Sequence, residues 1–158
     1  MRIETAFADA AYPGDENITN ENHCDECYQV AQAFKGKHWR NLTDVKFINY
    51  HYDVLAFFKA PAFQFFLPAF LLVDLKQGTT AFILYALTPP EIISSSTDEW
   101  FEKFGESQFD NFKRTIAGFT PRQWAVIKEY LEYSRYYAIT DFEDDLFKQA
   151  IAFWSVSE

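Results

Sequence analysis

Basic residues are scarce in this chain: 14 Lys and Arg stand against 23 Asp and Glu, leaving a formal net charge of -9. That deficit argues against nucleic acid and anionic membrane as ligands, because both reward cations through counterion release. Glycine is scarcer still, five residues in 158, so a phosphate-cradling loop is hard to build. Cysteine occurs twice, and at this length a core can be buried without disulfide or metal staples. No uninterrupted apolar span is present. The longest apolar stretch, residues 54–73, is broken by Lys59, Pro61, Gln64 and Pro68, which a bilayer would penalise, and it reads as a buried helix pair. Residues 1–11 lack a basic segment followed by a continuous apolar one, so a cytoplasmic location is expected, and the N-x-[ST] sites at Asn17 and Asn41 then carry no meaning. No G-x-S-x-G and no H-E-x-x-H occurs, and the coexistence of Ser94, Ser95 and Ser96 with three histidines has no diagnostic spacing. No catalytic residue and no cofactor is expected, and the chain does not read as an enzyme.

What the chain has is apolar and aromatic mass: 49% of its residues are apolar and 20% aromatic, with 18 Phe and 9 Tyr. A chain of this composition offsets its conformational entropy by burial, and one helical domain over residues 1–158 is expected. The class is mainly α, a multi-helix orthogonal bundle of about six to eight helices with little or no sheet. The clearest start is Phe119-Thr120-Pro121-Arg122-Gln123-Trp124, where Thr120 caps, Pro121 takes the first helical position and Gln123 closes a capping box. The stripe Trp124, Ile127, Leu131 and Ala138, widened by Tyr130 and Tyr137, follows helical spacing. Thr140 and Glu143 open a second helix with a face of Phe142, Leu146, Phe147, Ala150, Ile151 and Trp154. Shorter helices are predicted around Ile3–Ala10, at Cys27–Phe34 ending at Gly36, over 61–77 with a kink or break at Pro68, over 81–87, over 96–104, and over 107–117 stopped by Gly118.

Two acidic clusters are the candidate partner-binding residues. Asp15, Glu16, Glu21, Asp25 and Glu26 belong to the first 33 residues, which hold seven acids against one Arg, while Asp141, Glu143, Asp144 and Asp145 lie near the C-terminus. The alternative for both is solvated surface, and the second cluster also complements a helix dipole. His23-Cys24-Asp25-Glu26-Cys27 is the one metal-like motif. Two thiolates at C-x-x-C spacing suit tetrahedral zinc, with His23, His38 or His51 completing the set; the competing reading puts Cys27 on an apolar helix face. A thioredoxin-like role is disfavoured by the acidic neighbours, which raise a thiol's pKa, and by the lack of a leading strand.

The His23-Cys24-x-Glu26-Cys27 turn, Phe34-x-Gly36-x-x-Trp39, His51-Tyr52-Asp53 and the run Pro61-Ala62-Phe63-Gln64-Phe65-Phe66-Leu67-Pro68-Ala69-Phe70-Leu71 together resemble an uncharacterised family of small bacterial proteins of unknown function. The Phe119–Gln123 helix start is similar to that family as well. The resemblance brings no catalytic residues. It implies kinship with immunity proteins, antitoxins encoded beside secreted toxins, which need shape, a negative face and aromatic anchors. The implied partner is a cognate protein toxin, a basic nuclease-type effector neutralised by occlusion of its active site. The alternative function is a small zinc-binding domain or metal-dependent enzyme centred on His23, Cys24, Cys27 and His51.

Overall fold

The computed structural model describes residues 2–77, 81–93 and 109–156. Every regular element among them is helical, and the β pairing they contain is an isolated bridge between Thr19 and Phe58. The mainly-α class therefore holds. The described residues group into two compact units, one formed by Arg2–Gln77 and the other by the residues from 81 onward. The helix predicted over 96–104 lies outside the described residues.

In the first unit, helices α1 (Ile3–Ala6), α2 (Asp25–Phe34) and α3 (Val45–Tyr50), with 3-10 turns at Asp15–Asn17, Trp39–Asn41 and Val54–Ala56, precede the 18-residue α4 (Ala60–Gln77). α2 buries Cys27, Val30, Ala31 and Phe34, the face its i, i+3, i+4, i+7 spacing predicts. Gly36 follows it at φ +66°, a left-handed conformation that glycine adopts without strain. α1, α3 and the Trp39 turn pack on α4, whose buried residues run around its circumference from Ala62 to Asp74, as expected of a helix enclosed by its own unit. Phe34 is the hub: its ring lies 5.3 Å from Phe47, 5.0 Å from Phe58, 5.1 Å from Phe66 and 6.2 Å from Phe70.

Two expectations for this region change. The pair of helices expected over residues 54–73 is a single 3-10 turn followed by one helix, and α4 runs through Pro68 without a break. Pro68 removes one backbone hydrogen bond, but Leu67, Pro68 and Ala69 are all buried, and the packing of both flanking turns holds the helical path.

The second unit contains α5 (Ala81–Ala86), α6 (Pro90–Ile93), α7 (residues 109–117), α8 (Pro121–Arg135) and α9 (Asp141–Ser155). Residues 81–86 are thus helical, as expected. α8 and α9, joined by a short turn, pack on each other, and α5 and α6 also contact α9. Both predicted capping boxes are formed: Thr120 with Gln123, and Thr140 with Glu143. Trp154 joins this unit internally. Its indole N–H donates to the Leu87 carbonyl at 2.7 Å, and its own carbonyl accepts from the Trp124 indole at 2.7 Å. Burying Trp154 and half-burying Trp124 costs little because their polar handles are paired. Thr140→Ala is expected to lower stability by about 1 kcal/mol, the usual worth of an N-cap, and chemical denaturation reads it.

The α8 stripe does not run to Ala138. The helix ends at Arg135, and Tyr136, Tyr137 and Ala138 follow in a tight turn in which each N–H donates three residues back. Phe142 is likewise off the core, 61% exposed, while Leu146, Phe147, Ala150 and Trp154 are buried. At about 100° per residue, Phe142 sits roughly 95° from the centre of that buried face, on its margin.

Candidate binding surface

The N-terminal acids divide by what they touch. Tyr12 donates its hydroxyl to Asp15, and the Gly36 N–H donates to the Tyr12 oxygen at 2.8 Å and to Asp15 at 3.3 Å. The Tyr12 ring stands edge-on to Phe65 at 5.4 Å. Asp15 thus clasps the first 3-10 turn to the end of α2, and burial together with Asp15 raises the Tyr12 pKa. Glu16 accepts from the Asn17 amide at 3.1 Å, and Glu21 pairs with Lys35 at 2.9 Å. Asp25 and Glu26 project from the first turn of α2, exposed, where they complement the helix dipole.

Three of the four C-terminal acids, Glu143, Asp144 and Asp145, have partners around the α8–α9 turn and in α9. Asp144 accepts from Arg135 Nε at 2.7 Å and lies 2.7 Å from Lys148 Nζ. Asp145 lies 3.1 Å from the same lysine. Glu143 accepts the Ile139 and Thr140 N–H groups at 2.8 and 3.1 Å. Asp141 is exposed in the first turn of α9. The Arg135 hydrogen bond, then that of Lys148, lowers the Asp144 pKa from 3.8 to about 2. A lowered folded-state pKa stabilises above the ordinary carboxylate range, and that contribution fades as pH falls from 3.8 towards 2. Carboxyl NMR titration is expected to place Asp144 near 2, and Arg135→Ala is expected to return it towards the ordinary value.

Beside these acids lies a feature the spacing did not expose. Tyr136 is 89% and Ile139 88% exposed, and Tyr133, Tyr137 and Phe142 are exposed with them. The five side chains cluster in sequence at the α8–α9 corner. Tyr133 and Tyr137, one helical turn apart, share a hydroxyl hydrogen bond at 3.0 Å with ring centroids 5.5 Å apart, and that bond raises the Tyr133 pKa. An open groove of about 510 Å³ adjoins them, lined by Glu132, Arg135, Tyr136, Asp144 and Ile151. Apolar side chains this exposed, rimmed by polar ones, are the usual mark of an interaction surface. The signal available in the sequence was Thr140: a cap there requires α8 to end earlier, which releases Tyr137 and Ala138 from its stripe.

The cysteine turn brings its two sulfurs together. Cys24 and Cys27 form a disulfide three residues apart at the start of α2. His23 is exposed beside it. His51 packs against Phe34, Phe47 and Tyr50 at the end of α3, and burial lowers its pKa. Among the described residues no three His, Cys, Asp or Glu side chains come together as a metal-binding group, and no helix among them is long and apolar enough to cross a membrane.

The fold and surface define a mainly helical protein that presents a tyrosine-rich corner beside paired acids. The chain belongs to the family of unknown function DUF6714, which it matches over residues 1–157. No curated protein and no solved structure matches it.

Proposed function

We propose that this chain is a protein-binding module, and specifically an immunity protein that neutralises a cognate toxin by covering its active site. The observation that carries the reading is the exposed set Tyr133, Tyr136, Tyr137, Ile139 and Phe142. Tyrosine at a solvent-facing corner supplies large contact area at low entropic cost, and such residues dominate binding energy at interfaces. Charge selects the partner. With a net charge of -9, the chain steers towards a basic surface, of the kind nuclease-type effectors present to nucleic acid. Asp141 lies beside the aromatic corner in sequence, whereas Asp15, Glu21, Asp144 and Asp145 have internal partners. Asp25 and Glu26, exposed on the other unit, add to the long-range field. The role needs no catalytic residue and takes the protein to the cell compartment of its toxin's synthesis, the cytoplasm.

The test is co-expression with the product of the adjacent gene, reading growth and co-purification at low and high salt. Protection from toxicity with a complex that weakens as salt rises is expected, because steering between opposite charges is screened beyond about 10 Å at 0.1 M salt. Absence of both association and protection defeats the proposal.

A further inference from the structure

We infer that the Cys24–Cys27 bridge is a thiol–disulfide exchange site in which Cys24 is the sulfur that accepts an incoming thiol. Three observations carry this independently of the proposed binding role. The first is asymmetry of access: Cys24 is partly exposed at the mouth of the turn, whereas Cys27 is 5% exposed on the buried face of α2, its carbonyl held by the Thr19 hydroxyl at 2.6 Å. An external thiol therefore meets one sulfur and is kept from the other. The second is a prepared leaving site. Cys24 is the N-cap of the ten-residue α2, and the Cys27 N–H donates to its Sγ at 3.1 Å, so a thiolate released at Cys24 finds a donor and the positive end of the helix in place. The third is that the bridge is a poor staple. It links residues three apart, and closing so short a loop removes little freedom from the unfolded chain.

The exchange balances with a dithiol as reductant. One thiolate of the dithiol attacks Cys24 Sγ and forms a mixed disulfide; the Cys24–Cys27 bond breaks, its electron pair leaves on Cys27 Sγ, and that sulfur takes a proton. The second thiolate of the dithiol then attacks the reductant's own sulfur in the mixed disulfide. The electron pair of that bond leaves on Cys24 Sγ, which is protonated in turn. Two electrons and two protons pass to the protein, and the dithiol becomes a disulfide; the reverse sequence re-forms the bridge. Asp25 and Glu26 stand in the next two positions of the helix, exposed. Their charge opposes thiolate formation at Cys24, against which the helix end and the Cys27 N–H act, and it repels anionic thiols such as glutathione while favouring neutral ones.

The full chain, oxidised, is incubated without denaturant in mixtures of dithiothreitol and its disulfide, then alkylated and weighed. Reversible conversion between no alkyl groups and two, with the far-UV circular dichroism unchanged, is expected. A bridge that survives excess dithiothreitol until denaturant is added overturns the inference. Which sulfur exchanges is read from the reduced wild-type protein by brief iodoacetamide labelling and peptide mapping, with Cys24 expected to label at least about tenfold faster than Cys27. Cys24→Ser keeps a capping oxygen at the helix start and is expected to give no mixed disulfide with hydroxyethyl disulfide under native conditions. Equal labelling of the two cysteines, or rapid adduct formation in Cys24→Ser, assigns the wrong sulfur and overturns the inference as well.

Discussion

Phe34→Ala is expected to destabilise the protein by about 3–5 kcal/mol, the cost of truncating a fully buried phenylalanine. The ring is 0% exposed and touches phenylalanines from three separate stretches of the chain, Phe47, Phe58 and the α4 pair Phe66 and Phe70. Rings enclosed on several sides leave a cavity that neighbours cannot all collapse into, which puts the loss towards the upper part of that range. Chemical denaturation followed by far-UV circular dichroism measures it. Phe34→Leu refills much of the volume and is expected to recover more than half of the loss. If Phe34→Ala costs no more than an exposed substitution, the hub does not organise Arg2–Gln77.

The second large effect concerns association, and it should leave stability untouched. Tyr136→Ala and Ile139→Asp change side chains that are 89% and 88% exposed, so the fold is expected to keep its midpoint of denaturation within experimental scatter. Against the cognate partner each is expected to weaken binding at least about thirtyfold, the scale of losing one interfacial anchor of about 2 kcal/mol. Isothermal titration with purified partner reads both. Asp25→Asn and Glu26→Gln serve as the comparison: they alter the field of the other unit and are expected to slow association modestly, chiefly at low salt. Should the aromatic variants bind as tightly as the wild type while the carboxylate variants fail, the contact surface lies at the N-terminal acids.

How far these features were legible in the sequence follows from how local their causes are. The α8 and α9 starts were readable residue by residue, because Thr120 with Gln123 and Thr140 with Glu143 satisfy backbone donors within three positions. The buried face of α2 was readable for a similar reason, since its 3.6-residue period needs only one neighbour to pack on. Pro68 was not readable: its local effect is to break a helix, and what overrides it is burial of the residues on both sides, supplied by distant segments. Phe142 was assigned to a core stripe because periodicity locates a face without fixing its width, and it lies on the margin, whereas Tyr137 was assigned to one because periodicity does not say where a helix stops, and α8 ends before it. The acidic clusters were visible as charge, but the sequence did not distinguish Asp15, Glu21 and Asp144, which have internal partners, from Asp25 and Glu26, which project outward. At the cysteine turn, spacing alone is shared by zinc ligands and bridged thiols, so the sequence could not choose between them, and the packing of His51 among Phe34, Phe47 and Tyr50 depends on segments distant in the chain.

The claim that everything else depends on is that the turn between α8 and α9 grips another protein. Amide hydrogen exchange of the full chain, free and saturated with the adjacent gene's product, tests it most directly. Slowed exchange concentrated in residues 133–142 is the predicted footprint, since a bound partner would suppress the local openings through which the hydrogen-bonded amides of this turn exchange. Unchanged exchange across that stretch in a complex known to have formed would contradict the account.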